Sequence, residues 1–184
     1  VVGQGDGFYD IVDPANSSQI FYETPFGVMR QKNISTGSSQ LFTQGINLND
    51  PNDRAAWSAP FILDPTDPAQ FYCGRSRVYR RTTGTQWSPI SPPFRTPISA
   101  IAVSPVAPSI LYAGTGMIAG NGITLLNEGT PLGEVKVSTN NGETWVDRSI
   151  GTGLPNRAVT EIIASQKDSC TAWIAYSGFY SGHI

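Results

Sequence analysis

Four stretches of this chain can be laid over one another, and that repeat constrains the fold more than any other feature. Residues 11–23 (IVDPANSSQIFYE), 62–74 (ILDPTDPAQFYCG), 102–114 (AVSPVAPSILYAG) and, more loosely, 163–175 (IASQKDSCTAWIA) share one pattern. An apolar run ends at Asp13, Asp64, Ser104 or Ser165, and eight positions later stands Phe21, Tyr72, Tyr112 or Trp173. Pro14, Pro65 and Pro105 follow the turn residue in the first three copies. Proline fixes φ and cannot donate to a ladder, while the Asp or Ser side chain accepts a local backbone hydrogen bond. Each copy therefore predicts a hairpin of two largely buried strands.

A third strand follows each of the first three hairpins, as GVMRQ from Gly27, RVYRR from Arg77 and EVKVS from Glu134. A turn comes next, and in the second and third copies Trp87 or Trp145 opens a fourth strand. The 19 Gly and 14 Pro agree with many short strands joined by turns. The expected unit is four antiparallel strands repeated every ~40–50 residues, the period of a propeller blade. Blades are expected over approximately 8–57, 58–97 and 98–158, with an incomplete one over 159–184. The fold class expected is an all-β, partial β-propeller.

The stretch from Ser138 to Trp145 has the spacing Ser138-x-Asn140-x-Gly142-x-x-Trp145. Asn140 can bridge backbone groups across its own turn, Gly142 supplies a conformation that a Cβ would penalise, and Trp145 is expected to pack the hairpin against its own blade. No nucleophile with a base stands there, and a structural role is expected. The spacing resembles the Asp-box, or bacterial neuraminidase repeat, with Asn for the usual Asp. Residues 3–14 (GQGDGFYDIVDP), 59–80 (APFILDPTDPAQFYCGRSRVYR), 153–165 (GLPNRAVTEIIAS) and 175–184 (AYSGFYSGHI) are similar to the sortilin-like and xyloglucanase-like propellers of large secreted bacterial proteins. The resemblance implies a secreted or periplasmic protein. In such relatives a third strand and another Asp-box would follow the final SGHI, and a closed ring has 4–8 blades. With Val1 at its start, the chain is expected to be a piece of a longer propeller, or to associate with itself or with the rest of its ring.

The net charge is −2, and no basic run suggests nucleic acid as a partner. No apolar run approaches the ~20 residues that span a membrane. Cys73 and Cys170 fit no metal spacing and are expected as buried thiols, with a disulfide as the alternative. His183 is the only histidine, which argues against Ser-His-Asp or Cys-His catalysis within the chain and against a multi-His zinc site. No cofactor is expected.

Glycoside hydrolysis usually needs two carboxylates about 5–10 Å apart. Asp6, Asp10, Asp53 and Glu161 are the candidates, with Asp10 and Asp53 foremost. Arg75, Arg77, Arg80 and Arg81 are clustered, but alternation on one strand sends them to opposite faces, and a solvated face is expected rather than a carboxylate-gripping site. The loop Asn47–Arg54 is rich in side-chain oxygens, with Asn49, Asp50 and Asp53 as calcium candidates against the plainer expectation of a polar inter-blade loop. The insertion at 117–133 offers Asn121, Asn127 and Glu128 as a ligand rim. Three functional classes follow: a non-catalytic module binding a glycan, peptide or protein; a portion of a glycoside hydrolase completed outside this chain; and a sortilin-type peptide receptor. The first is favoured because no convergent catalytic set is visible.

Overall fold

The computed structural model describes residues 7–116, 133–149 and 153–177. These residues form three four-stranded antiparallel sheets and one two-stranded sheet, with no helix among them. The first sheet holds β1 (Asp10–Val12), β2 (Gln19–Thr24), β3 (Val28–Asn33) and β4 (Ser39–Leu41), side by side in chain order. The second holds β5 (Phe61–Leu63), β6 (Gln70–Gly74), β7 (Val78–Thr82) and β8 (Ser88–Pro89). The third holds β9 (Ile98–Val103), β10 (Leu111–Thr115), β11 (Val135–Ser138) and β12 (Val146–Asp147). β13 (Val159–Ala164) and β14 (Ala172–Tyr176) form the last.

The repeated turns close as their chemistry requires. Asp13 Oδ1 accepts the N–H of Ala15 at 2.8 Å, and Asp64 Oδ1 accepts that of Thr66 at 2.8 Å. Ser104 Oγ accepts the N–H of Ala107 at 3.2 Å, and Ser165 Oγ that of Asp168 at 3.1 Å. A short polar side chain satisfies the turn's own donors at every copy. Asp64 also accepts from the Tyr72 hydroxyl at 3.3 Å, and burial pushes that phenol up to about 12.

The core lies between sheets. Strand alternation gives each sheet two apolar faces. Phe21, Met29 and Phe42 of the first sheet meet Phe61, Phe71, Cys73 and Trp87 of the second. From its other face the second sheet presents Tyr72, Val78 and Phe94 to Ile98, Ile101, Leu111 and Ala113 of the third. The third presents Ala100, Ala102, Tyr112 and Val135 to Val159, Ile162, Ala164 and Tyr176. Phe21, Tyr72 and Tyr112, equivalent in the repeat, thus each face the following sheet. Trp173 has no following sheet among the described residues and stands 54% exposed, opposite Ile163 at 57%.

Two expectations need correction. Trp145 reaches the preceding sheet as well as its own: its indole N–H is shared between the Ile90 carbonyl at 2.8 Å and the Gly142 carbonyl of its own turn at 3.1 Å. Trp87 reaches the preceding sheet too, donating to the Phe42 carbonyl at 2.7 Å. The Trp opens the outer strand, where its own sheet offers no further strand and the neighbour's last carbonyl lies in reach. Cys73 is buried as expected, but Cys170 is exposed, because it lies in the short turn between β13 and β14; both are free thiols.

Candidate functional site

The β2–β3 turn, the β4–β5 connection and the β6–β7 turn meet at one end of the first two sheets. Three charged side chains are buried there: Glu23, Asp53 and Arg75. Glu23 ends the run Ile20–Tyr22 on the same face as Phe21, pointing at the second sheet. It is 0% exposed. Its Oε1 accepts the N–H groups of Gly27 at 2.9 Å and Ala59 at 3.4 Å, while Oε2 has no partner among the described residues. Burial pushes its carboxyl up to about 7, against the two backbone N–H groups that pull it down.

Asp53 arrives from the connection between sheets. Its Oδ2 accepts from Arg75 Nε at 3.0 Å and from the Tyr79 hydroxyl at 2.8 Å. Arg75 then donates through Nη2 to the Asp53 carbonyl at 2.6 Å and through Nη1 to the Phe26 carbonyl at 3.3 Å. Burial raises the Tyr79 phenol well above its ordinary value, and its bond to Asp53 adds to this. The Cys73 thiol beside them is also driven up by burial and is held as an inert thiol. The crevice lined by Glu23, Gly27, Ala59, Cys73 and Arg75 is too tight to admit a water molecule. Glu23 is walled off in this crevice, Asp53 is buried beside it, and the arrangement acts as a brace.

Above the brace the surface is aromatic. Phe26 and Trp57 meet edge to face with centroids 4.9 Å apart, and Phe8 meets Trp57 at 6.2 Å. Phe8, Phe26 and Trp57 are 36%, 38% and 42% exposed. Phe26 has φ of 67°, a left-handed conformation uncommon for a bulky side chain.

The sequence candidates are scattered by comparison. Asp10 is exposed at the start of β1, opposite Tyr22 in register. Glu161 is exposed on β13, and its charge, with that of Glu23, adds to the burial that raises the Tyr9 phenol. Asp53 is held through Oδ2 by Arg75 and Tyr79, while its buried Oδ1 has no hydrogen-bond partner among the described residues. Asn49 is exposed, and Asp50 Oδ1 caps the N–H of Asn52 at 2.9 Å. Among the described residues no three His, Cys, Asp or Glu side chains converge as metal ligands. Arg75 corrects the expectation of a solvated arginine face: it is buried because Asp53 and two carbonyls meet it. Arg80 and Arg81 do diverge, towards the Asn141 carbonyl at 3.4 Å and over the Phe42 ring at 3.9 Å. Asp6, Asn121, Asn127, Glu128 and His183 lie outside the described residues.

In the turn from Ser138 to Trp145, Ser138 Oγ accepts the N–H of Gly142 at 2.9 Å and Asn140 Oδ1 that of Thr144 at 2.9 Å. Gly142 has φ of 88°, and a Cβ there would press on Ile90. Glu23 and the aromatic trio are the features that sequence reasoning missed. The signals were a Glu closing an apolar run and a Phe beside Gly27 in a tight turn.

No protein-family model matches the sequence, and no curated protein matches it. Solved structures do resemble it. An ancestral GH74 enzyme superposes with a TM-score of 0.64 at 16% identity, over 93% of this chain and 22% of that one. The GH74 xyloglucanase from Xanthomonas campestris gives 0.59 at 15% identity, over 90% of this chain and 26% of that one. The computationally designed Ika8 protein gives 0.51 at 14% identity, over 95% and 46%. This chain thus spans about a quarter of the length of the two GH74 enzymes, and the likeness at such identities is one of fold. The three four-stranded sheets and the two-stranded sheet among the described residues are blades of a β-propeller.

Proposed function

We propose that this chain is part of a secreted β-propeller that binds a glycan without hydrolysing it. The observation that carries this is the burial of Asp53 and Glu23 in one brace, on a fold shared with a xyloglucanase. The best-placed acids of the chain hold loops together, while the surface over them is aromatic. The turn Ser138–Trp145 is taken as a structural Asp-box, tying one blade to the blade before it. The resemblance to secreted propellers supports secretion, and no helix among the described residues is long and apolar enough to cross a membrane.

A second reading keeps the chain as a portion of a glycoside hydrolase whose catalytic residues are completed elsewhere. The likeness to two GH74 enzymes favours it. Incubating this chain, and the longer propeller it would belong to, with xyloglucan, β-glucans and sialosides, and measuring retention and new reducing ends on the same samples, separates the two. The expected result is retention of a glycan with no new reducing ends. Turnover by the longer propeller that disappears in its Asp10→Asn variant would establish the second reading instead.

A further inference from the structure

Glu23 ties the β2–β3 turn to the β4–β5 connection from the inside of the molecule. Its Oε1 accepts the N–H of Gly27, in the turn, at 2.9 Å and that of Ala59, in the connection, at 3.4 Å. On the outer side the Phe26 N–H donates to the Trp57 carbonyl at 3.0 Å. The turn is strained as it is held: Phe26 has φ of 67°, which Gly, Asn or Asp takes at little cost and Phe does not. Such strain persists only while the surrounding contacts outweigh it.

The crevice around Glu23 treats the two forms of its carboxyl unequally. Met29, Ala59, Pro60 and Phe61 make much of its wall apolar, and it is dry. A charge on Glu23 would meet two N–H groups on one oxygen and, among the described residues, no partner on the other. The titratable and charged groups around it are Tyr9 from β1, Asp53 from the connection, Cys73 from β6 and Arg75 from the β6–β7 turn. Arg75 makes its ion pair with Asp53 and none with Glu23. Burial moves the Tyr9 phenol and the Cys73 thiol upward, so both are neutral where Glu23 titrates.

We propose that this crevice is a pH-gated latch: it stays shut while Glu23 is protonated, and ionisation of Glu23 releases the turn that carries Phe26 from the connection that carries Trp57 while the sheets stay folded. The turn and the connection join the sheets at one end, so they can part without breaking a strand pair. Parting lets water reach the carboxylate, which then titrates at its ordinary value and not at about 7. It also relieves the strain at Phe26. The difference in titration bounds the effect: between pH 5 and pH 8 the open fraction rises about seventyfold, and it levels off beyond. The latch is independent of what the chain binds.

Cys73 is a built-in reporter, because it lines the same crevice and is 2% exposed when the crevice is shut. Its rate of labelling by a thiol reagent reads the opening. The exposed Cys170 is removed as Cys170→Ser, so that one thiol is followed. Dividing each rate by that of a free cysteine peptide at the same pH removes the ordinary rise in thiolate. The corrected rate should rise about fifty- to a hundredfold from pH 5 to pH 8, and with Glu23→Gln added it should change by less than about threefold. In low urea the rate should stay flat, since a local opening exposes little surface. A corrected rate that does not rise with pH, or that rises equally in Glu23→Gln, overturns the latch. So does a rate that climbs with urea as steeply as global unfolding, because the pH effect then belongs to the whole fold. Should Glu23→Gln fail to fold, the pH profile and the urea dependence of the Cys170→Ser chain decide alone.

Discussion

Glu23 is an acid whose burial sets its titration near neutral pH. Its folded value of about 7 lies above the ordinary 4.5, so the folded chain holds an extra proton between those values. Stability must then fall as pH rises from about 4.5 to about 7 and level off beyond, by about 3 kcal/mol at most. Glu23→Gln keeps the acceptor for Gly27 and Ala59 and removes the charge. It should match the parent at pH 4 and exceed it at pH 8 in denaturant titrations at the two values. Asp53→Ala should behave differently, costing about 3–5 kcal/mol at neutral pH because Arg75 is left buried without its carboxylate. None of this was legible in the sequence. Ala59 lies 36 residues from Glu23, and Asp53 lies 22 from Arg75, so the partners meet only once two sheets are stacked. The sequence placed Asp53 among catalytic and calcium candidates for its composition, and composition does not show that a carboxylate is already taken.

Hairpins were the readable level. Asp13, Asp64, Ser104 and Ser165 bond within three residues, so pattern alone locates them. The reach of the tryptophans was not readable, because the Phe42 and Ile90 carbonyls that their indoles meet belong to another sheet. Trp87 is buried and Trp145 only partly so. Trp87→Ala should cost about 3–5 kcal/mol and Trp145→Ala measurably less, with glycan binding kept by whatever protein stays folded. Chemical denaturation of the two variants ranks them. Gly45 belongs to the same clasp: it has φ of 97°, and a Cβ would run into the Trp87 backbone. Gly45→Ala should therefore cost more than the ~1 kcal/mol that a tolerated Gly-to-Ala change can gain.

At the scale of the whole molecule, each sheet is held by apolar faces shared with its neighbours. The repeat made the sheets foreseeable, and strand alternation then fixes which side chains face forward. On the last sheet the forward-facing pair Ile163 and Trp173 is uncovered, and on the first sheet Val12 is 58% exposed. Faces equivalent to these are buried wherever a neighbour is present. Exposed apolar faces mark interfaces. The chain is expected to associate through them, with a second copy or with further blades of its ring, and the double variant Ile163→Thr, Trp173→Ser should weaken that association. Multi-angle light scattering of the parent across a hundredfold range of concentration is the most direct test. A mass that rises with concentration in the parent, and rises less in the double variant, is the predicted result. A monodisperse monomer that unfolds cooperatively, unchanged by the two substitutions, would contradict the assignment of stacked blades with open faces.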